Sequence, residues 1–184
     1  FIDVKDKMVL VIGGGDTAMD CVRSSVREGA ASVKCLYRRD EANMPGSKKE
    51  VVNSKEEGVE FMFNVSPKAI NLDNGKVVGV ELLETAMSQP DESGRQKVEI
   101  LENSNFVEEA DVVILALGFS PEVPAFLNES NVQTNAWGGI VTNNFKTSNP
   151  KIYAGGDCQR GAHLAVTAAA DGRDAAKEII KALA

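Results

Sequence analysis

The stretch Met8-Val-Leu-Val-Ile12, Gly13-Gly-Gly15 and then Asp16 onward leaves this chain few folds to choose from. Five consecutive apolar residues read as a strand buried on both faces, the demand of a parallel sheet. Three glycines break it sharply. From Asp16 to about Glu28, Ala18, Met19, Val22 and Val26 recur along one helix face, and Gly29 supplies a stop. Ser32-Val-Lys-Cys-Leu-Tyr37 reads as a second strand, which completes a βαβ unit.

Within that unit Gly13-Gly-Gly-Asp-Thr-Ala18 fits G-x-G-x-x-A. Gly13 permits the tight turn, Gly15 lets a pyrophosphate approach the backbone, and Ala18 allows close helix packing. A helix start offers unpaired N–H groups and a positive dipole end, so an anion belongs there. A glycine turn without a ligand is the competing reading, and the βαβ context weighs against it. The end of the second strand decides the cofactor. NAD-binding units usually place an acid there for the ribose 2′-hydroxyl, whereas this chain has Arg38-Arg39. Two guanidiniums suit a 2′-phosphate through forked, charge-assisted hydrogen bonds, which favours NADPH over NADH. The alternative is that they decorate a solvated strand end beside Asp40 and Glu41.

Beyond Arg39 the sequence predicts a loop holding Pro45 and Gly46, a charged helix from about Ser47 to Glu57, and a strand over residues 59–63. Ala69-Ile-Asn-Leu72, Asp73-Asn-Gly75 and residues 76–83 form a hairpin signal, because Asn-Gly readily takes positive φ. Residues 87–96 read as a surface loop and 98–101 as a returning strand. Residues 111–117 are a second buried apolar run, closed by Gly118. Pro121 and Pro124 mark a linker, residues 139–142 a short strand, and a final helix runs from about Leu164 to Leu183.

At 184 residues with 43% hydrophobic content, the chain has core enough for one large domain or two small ones. A net charge of −7 works against nucleic acid and anionic lipid as partners. No run approaches the roughly 18 apolar residues of a membrane helix, and the first residues lack the pattern of a signal peptide, so a cytoplasmic location without membrane contact is expected. Cys21, Cys35 and Cys158 form no C-x-x-C, hence no redox dithiol, zinc or iron–sulfur cradle, and each is read as a small buried hydrophobe. No Ser-His-Asp, paired-carboxylate or metal constellation is present, so no catalytic or metal-ligating residue is expected. Hydride passed directly between two cofactors requires none.

Tyr153-Ala-Gly-Gly-Asp157 points to the second cofactor. A carboxylate at a strand end can accept a hydrogen bond from a flavin ribityl hydroxyl. The helix beginning near Leu164 would aim its positive end at the flavin N1 and C2 carbonyl. A capping or turn role for Asp157 is the alternative. For His163, the sole histidine, capping of the following helix is favoured over cofactor contact.

Several stretches together resemble the small (β) subunit of NADPH-dependent glutamate synthase and the similar flavin/NADPH module of dihydropyrimidine dehydrogenase. They are residues 11–21, Cys35-Leu-Tyr-Arg-Arg-Asp40, Asn43-Met-Pro-Gly-Ser47, Glu56-Glu-Gly-Val-Glu-Phe61, Ala116-Leu-Gly-Phe119, and Ala154-Gly-Gly-Asp157 with Arg160-Gly-Ala162. The resemblance implies an α/β, two-dinucleotide-binding-domain flavoprotein. Residues 1–118 would be a Rossmann-like NADPH-binding domain with an antiparallel β insertion, and residues 119–184 the C-terminal part of a split FAD-binding domain. Gly13, Gly14, Gly15, Asp16, Thr17 and Ala18 would form the pyrophosphate turn, and Arg38 and Arg39 would meet the 2′-phosphate. Gly118, Gly156, Asp157, Leu164, Ala165 and Val166 would lie on the FAD side. The resemblance also implies hydride transfer from NADPH to FAD and electron delivery through iron–sulfur clusters. The recipient would be a glutamate synthase large subunit or an equivalent acceptor, with glutamine and 2-oxoglutarate becoming glutamate.

Such proteins begin with cysteine-rich cluster ligands and a first FAD-binding glycine motif, neither of which stands in this sequence. The expectation is therefore a piece of a longer protein that binds NADP(H), holds FAD poorly and is inactive alone. A nucleotide-binding or subunit-docking module without its own chemistry is the rival, as is another pyridine-nucleotide flavoprotein. Thioredoxin reductase is disfavoured by the missing C-x-x-C.

Overall fold

The computed structural model describes residues 2–90 and 96–184. The chain forms two compact units, Phe1–Gly118 and Phe119–Ala184. In order, the first carries β1 (Met8–Ile12), α1 (Asp16–Arg27), β2 (Ser32–Tyr37), α2 (Lys48–Glu56), β3 (Glu60–Phe63), β4 (Val65–Asp73), β5 (Lys76–Met87), β6 (Val98–Ile100), β7 (Phe106–Glu109) and β8 (Val112–Leu115). The second carries α3 (Ala125–Glu129), α4 (Asp157–Arg160) and α5 (Ala165–Leu183).

β1 is central in a parallel sheet ordered β3-β2-β1-β8. Its register places Val9 between Val33 and Val112, and Ile12 between Leu36 and Leu115. Alternation explains why the strand is apolar throughout. Val9 and Val11 pack with Ala18, Met19 and Val22 of α1, while Leu10 and Ile12 face Val80 and Leu82 of β5. The antiparallel strands thus supply the second covering layer of the parallel sheet. Full burial of one such side chain contributes about 1.5–3 kcal/mol.

The hairpin turns at Asn74 and Gly75, whose φ angles of +49° and +78° are those the Asn-Gly pair adopts cheaply. Its strands run longer than the sequence pattern predicts. β7, hidden in the sequence by its two glutamates, pairs with residues 79–82 of β5, and β6 pairs with residues 85–87 on the same edge. Gly79 lets the edge close up, since a Cβ there would stand 2.7 Å from the Glu108 carbonyl oxygen. Of the loop predicted over residues 87–96, Met87 ends β5 and residues 91–95 lie outside the described residues.

The run at residues 111–117 is less buried than its composition suggests. Val112 is buried, but Leu115, the last residue of the edge strand β8, is 61% exposed, and Leu117, beyond the strand, is 69% exposed. α1 and α2 are joined by Arg23, which forks onto Glu57 at 2.7–3.1 Å and also pairs with Glu50. The hydrogen bond from Arg23 holds the Glu57 carboxyl down at about 2.

In the second unit the expected strand at residues 139–142 shrinks to one bridge between Ile140 and Thr134. The proline-marked stretch contains a helix, α3, with Pro124 at its N-cap, where a fixed φ and missing N–H cost nothing. Asp157 opens a helical turn, α4, after Gly156 at φ +78°, and of Lys151-Ile-Tyr-Ala154 only Tyr153 makes a bridge, to Lys146. Among the described residues no helix is long and apolar enough to cross a membrane.

Candidate functional site

In the first unit the glycines behave as three different residues. Gly13 donates its N–H to the Leu36 carbonyl at 3.0 Å and sits at φ +147°. A Cβ there would lie 2.2 Å from the Ala116 carbonyl oxygen, so the crossing of β1 past the end of β8 requires glycine. Gly14 lies against the Tyr37 ring, where a Cβ would stand 2.5 Å from Cδ2. Gly15 is the N-cap of α1 at φ −88°, and a Cβ there would meet nothing within 4 Å. The space before Gly15 is open, as a backbone approached by a ligand must be.

No side chain caps α1. Among the described residues, the amides of Gly14, Gly15, Asp16 and Thr17 find no acceptor. Four unpaired donors at the positive end of a 12-residue helix make an anion cradle. The cradle opens into a groove of about 560 Å³ floored by residues 13–15 and Thr17, flanked by Arg38 and Pro45, and bounded by residues 116–118.

The other predicted residues are placed differently. Ala18 is fully buried in the core below the turn. Asp16 does not line the groove; its Oδ1 accepts the Ser47 N–H at 2.7 Å. Arg38 is exposed and lines the groove, but Arg39 is half-buried off its wall, with a buried Nε that finds no hydrogen-bond partner among the described residues. The backbone under both arginines is held from outside β2: the Arg38 carbonyl accepts the Thr85 hydroxyl at 2.9 Å, and the Arg39 carbonyl accepts the Asn64 N–H at 3.1 Å. Sequence reasoning missed Tyr37, Pro45 and Thr85. Tyr37 and Pro45 had a signal in their closeness to Arg38, while Thr85 had none.

In the second unit Asp157, Leu164, Ala165 and Val166 are exposed, and Gly156 is buried. α5 has no side-chain cap, and the amides of Ala165 and Val166 find no acceptor among the described residues. His163 Nδ1 pairs with the Thr167 hydroxyl at 3.0 Å, touching the first turn of α5 through a side chain. The loop before α4 is pinned by Asp171, which sequence reasoning passed over as one acid in an alanine-rich helix. Asp171 is buried, accepts the Gly156 N–H at 3.0 Å and is forked by Arg160 at 2.6–2.7 Å. The guanidinium, followed by the Gly156 amide, keeps its carboxyl below the usual range.

The cysteines depart from the uniform burial expected of them. Cys35 is buried, with its thiol pushed up to about 12 by that burial and its Sγ donating to the Gly13 carbonyl. Cys21 is half-buried, its thiol raised by burial and by Asp20. Cys158 is exposed, because α4 is too short to bury a face. Alkylation of the native protein, followed by mass spectrometry, is therefore expected to label Cys158 first and Cys35 only after unfolding. Labelling of Cys35 in the folded protein would contradict this placement.

Residues 2–172 match the family model described as pyridine nucleotide-disulphide oxidoreductase. The chain belongs to that family. Its fold is accordingly that of the two-dinucleotide-binding flavoproteins. Thioredoxin reductase of T. acidophilum is 26% identical, superposes with a TM-score of 0.73, and is matched over 94% of this chain and 51% of its own. The resemblance to glutamate synthase small chains read from the motifs is also met. The glutamate synthase [NADPH] small chain of Escherichia coli (strain K12) is 52% identical over 98% of this chain and 39% of its own length. The NADPH-Fe(3+) oxidoreductase subunit beta of Geobacter sulfurreducens (strain DL-1 / KN400) is 42% identical over 74% of this chain and 20% of its own. This member of the family thus spans about two-fifths of the length of the glutamate synthase relative.

Proposed function

We propose that residues 1–118 are the NADPH-binding domain, and residues 119–184 the C-terminal part of the FAD-binding domain, of a longer NADPH-dependent flavoprotein oxidoreductase. The observation that carries this reading is the groove of the first unit, with four unpaired amides at one end and Arg38 on its wall. These parts fit the nucleotide. The amides of Gly14, Gly15, Asp16 and Thr17 would take the pyrophosphate, Gly13 sets the turn, and Ala18 keeps the helix close beneath it. Arg38 would hold the 2′-phosphate in forked geometry, with Arg39 behind it as a second positive charge.

Residues of the second unit fit part of a flavin site. The exposed Asp157 carboxylate would accept a ribityl hydroxyl, and the free amides of Ala165 and Val166 would face the electron-rich edge of the ring system beside Gly156 and Leu164. Gly118, expected on the FAD side, is the last residue of the first unit and lines its groove instead. When bound, NADPH supplies a hydride and FAD accepts it. The protein's own residues bind and orient, and none is asked to move a proton.

The high identity to a glutamate synthase small chain supports a role in glutamate synthesis from glutamine and 2-oxoglutarate. Electrons would leave through iron–sulfur clusters of the longer protein toward a large subunit. The Geobacter relative, whose name specifies Fe(3+), favours keeping a second acceptor class in view for the same module. The test is the flavin content and NADPH oxidation of this chain alone, compared with a longer protein carrying the preceding half of the FAD domain. The chain alone is expected to purify colourless and without turnover, and the longer protein yellow and active with an artificial acceptor. A yellow preparation of this chain would contradict the division of the flavin site.

A further inference from the structure

In the glycine-turn reading an acid at position 16 stands where phosphates would bind, and an unengaged carboxylate there would repel them. The structure turns it elsewhere. Asp16, exposed on the first turn of α1, accepts the Ser47 N–H at 2.7 Å and is absent from the groove wall. Ser47 is the N-cap of α2 and ends the strap of residues 40–47 that follows Arg39. The same strap touches the glycine turn once more directly and once through Tyr37. Gly46 donates its N–H to the Gly14 carbonyl at 2.9 Å, so close that a Cβ on Gly46 would stand 3.0 Å from that oxygen. Tyr37, whose ring covers Gly14, donates its hydroxyl to the Asn43 carbonyl at 2.9 Å. Within the strap, Asp40 accepts the Asn43 amide at 2.9 Å and shapes its first turn. Pro45, between these pins, lines the groove together with Arg38.

We propose that Asp16 is a positioning residue: its carboxylate latches the strap of residues 40–47 to the first turn of α1, so that Pro45 and Arg38 wall the 2′-phosphate end of the groove. This rests on the nucleotide reading of that groove. The interaction is a charge-assisted hydrogen bond to a backbone amide, and its site on the first turn of α1 is one the helix dipole favours for a carboxylate. What the latch requires of position 16 is an acceptor oxygen rather than a negative charge.

That distinction supplies the test. Dissociation constants for NADPH are measured in the wild type, Asp16→Ala, Asp16→Asn and Ser47→Pro, and hydrogen exchange at the Ser47 amide in the first three. Asp16→Ala is expected to weaken NADPH binding about tenfold and to speed exchange at Ser47 by a similar factor, the effect of losing one such bond. Asp16→Asn keeps an acceptor oxygen and is expected to stay within about threefold of the wild type on both readouts. Ser47→Pro removes the donor while leaving Asp16 in place, and its φ of −54° suits proline, so it is expected to weaken NADPH binding as Asp16→Ala does. NADPH binding unchanged in Asp16→Ala would overturn the latch. Tighter binding in Asp16→Asn would also overturn it, since the carboxylate would then be facing the phosphates. If the wild type itself fails to bind NADPH, the nucleotide reading falls, while exchange at Ser47 still reports whether Asp16 holds the strap.

Discussion

Gly13→Ala is expected to unfold or severely destabilise the first unit, whereas Gly15→Ala should leave the fold intact and remove nucleotide binding. At Gly13 two costs coincide. The backbone sits at φ +147°, where a side chain is strained by about 1–3 kcal/mol, and the new methyl would stand 2.2 Å from the Ala116 carbonyl oxygen. Neither neighbour can yield cheaply, because β1 and β8 are hydrogen-bonded through Leu115 and the Ala116 N–H bonds to the Ile12 carbonyl. A loss of about 3 kcal/mol or more is expected, visible as a lowered midpoint in thermal or urea unfolding. At Gly15 the backbone is in a region any residue adopts, and a methyl meets nothing. The methyl would instead occupy the space the pyrophosphate needs. Equal stability losses at the two positions would show that the assignment of one glycine to the fold and the other to the ligand is wrong.

Arg38→Ser is expected to reduce NADPH affinity by about 10- to 100-fold with NADH affinity little changed, the magnitude of losing charge-assisted bonds to a phosphate. Arg39→Ser should do less to binding, because Arg39 stands off the groove wall. It removes a half-buried guanidinium whose Nε lacks a partner, so its stability should change little or rise. Fluorescence titration of the two single variants with both nucleotides separates the roles that the sequence, showing only Arg38-Arg39, leaves equal. An equal loss in both variants would mean that Arg39 reaches the phosphate as well.

The βαβ unit was legible because its signals are local. An apolar strand, a glycine turn and a helical stripe of Ala18, Met19 and Val22 each follow from residues adjacent in sequence, and they agree with one another. Asn74-Gly75 announced the hairpin for the same reason. What the sequence hid depends on long-range pairing. β7 is two apolar residues followed by two glutamates and becomes a strand only against Gly79–Leu82. Thr85 became visible only once β5 brought its hydroxyl to the Arg38 carbonyl, 47 residues away. Asp16 illustrates the same limit within a motif. Its position in the glycine turn was readable, but the direction of its carboxylate was set by Ser47, 31 residues on. In the second unit the short α4 and the Arg160–Asp171 pair were masked by a Gly-Gly-Asp pattern that reads equally as a strand end.

If the groove above residues 13–15 is an NADPH site, this chain binds that nucleotide without help from flavin. Calorimetric titration of this chain, without added flavin, with NADPH and NADH at matched ionic strength tests it most directly. Saturable one-to-one binding of NADPH is expected, at least about tenfold tighter than NADH and lost in Gly15→Ala. Absence of NADPH binding by the folded chain, or equal affinity for the two nucleotides, would contradict it.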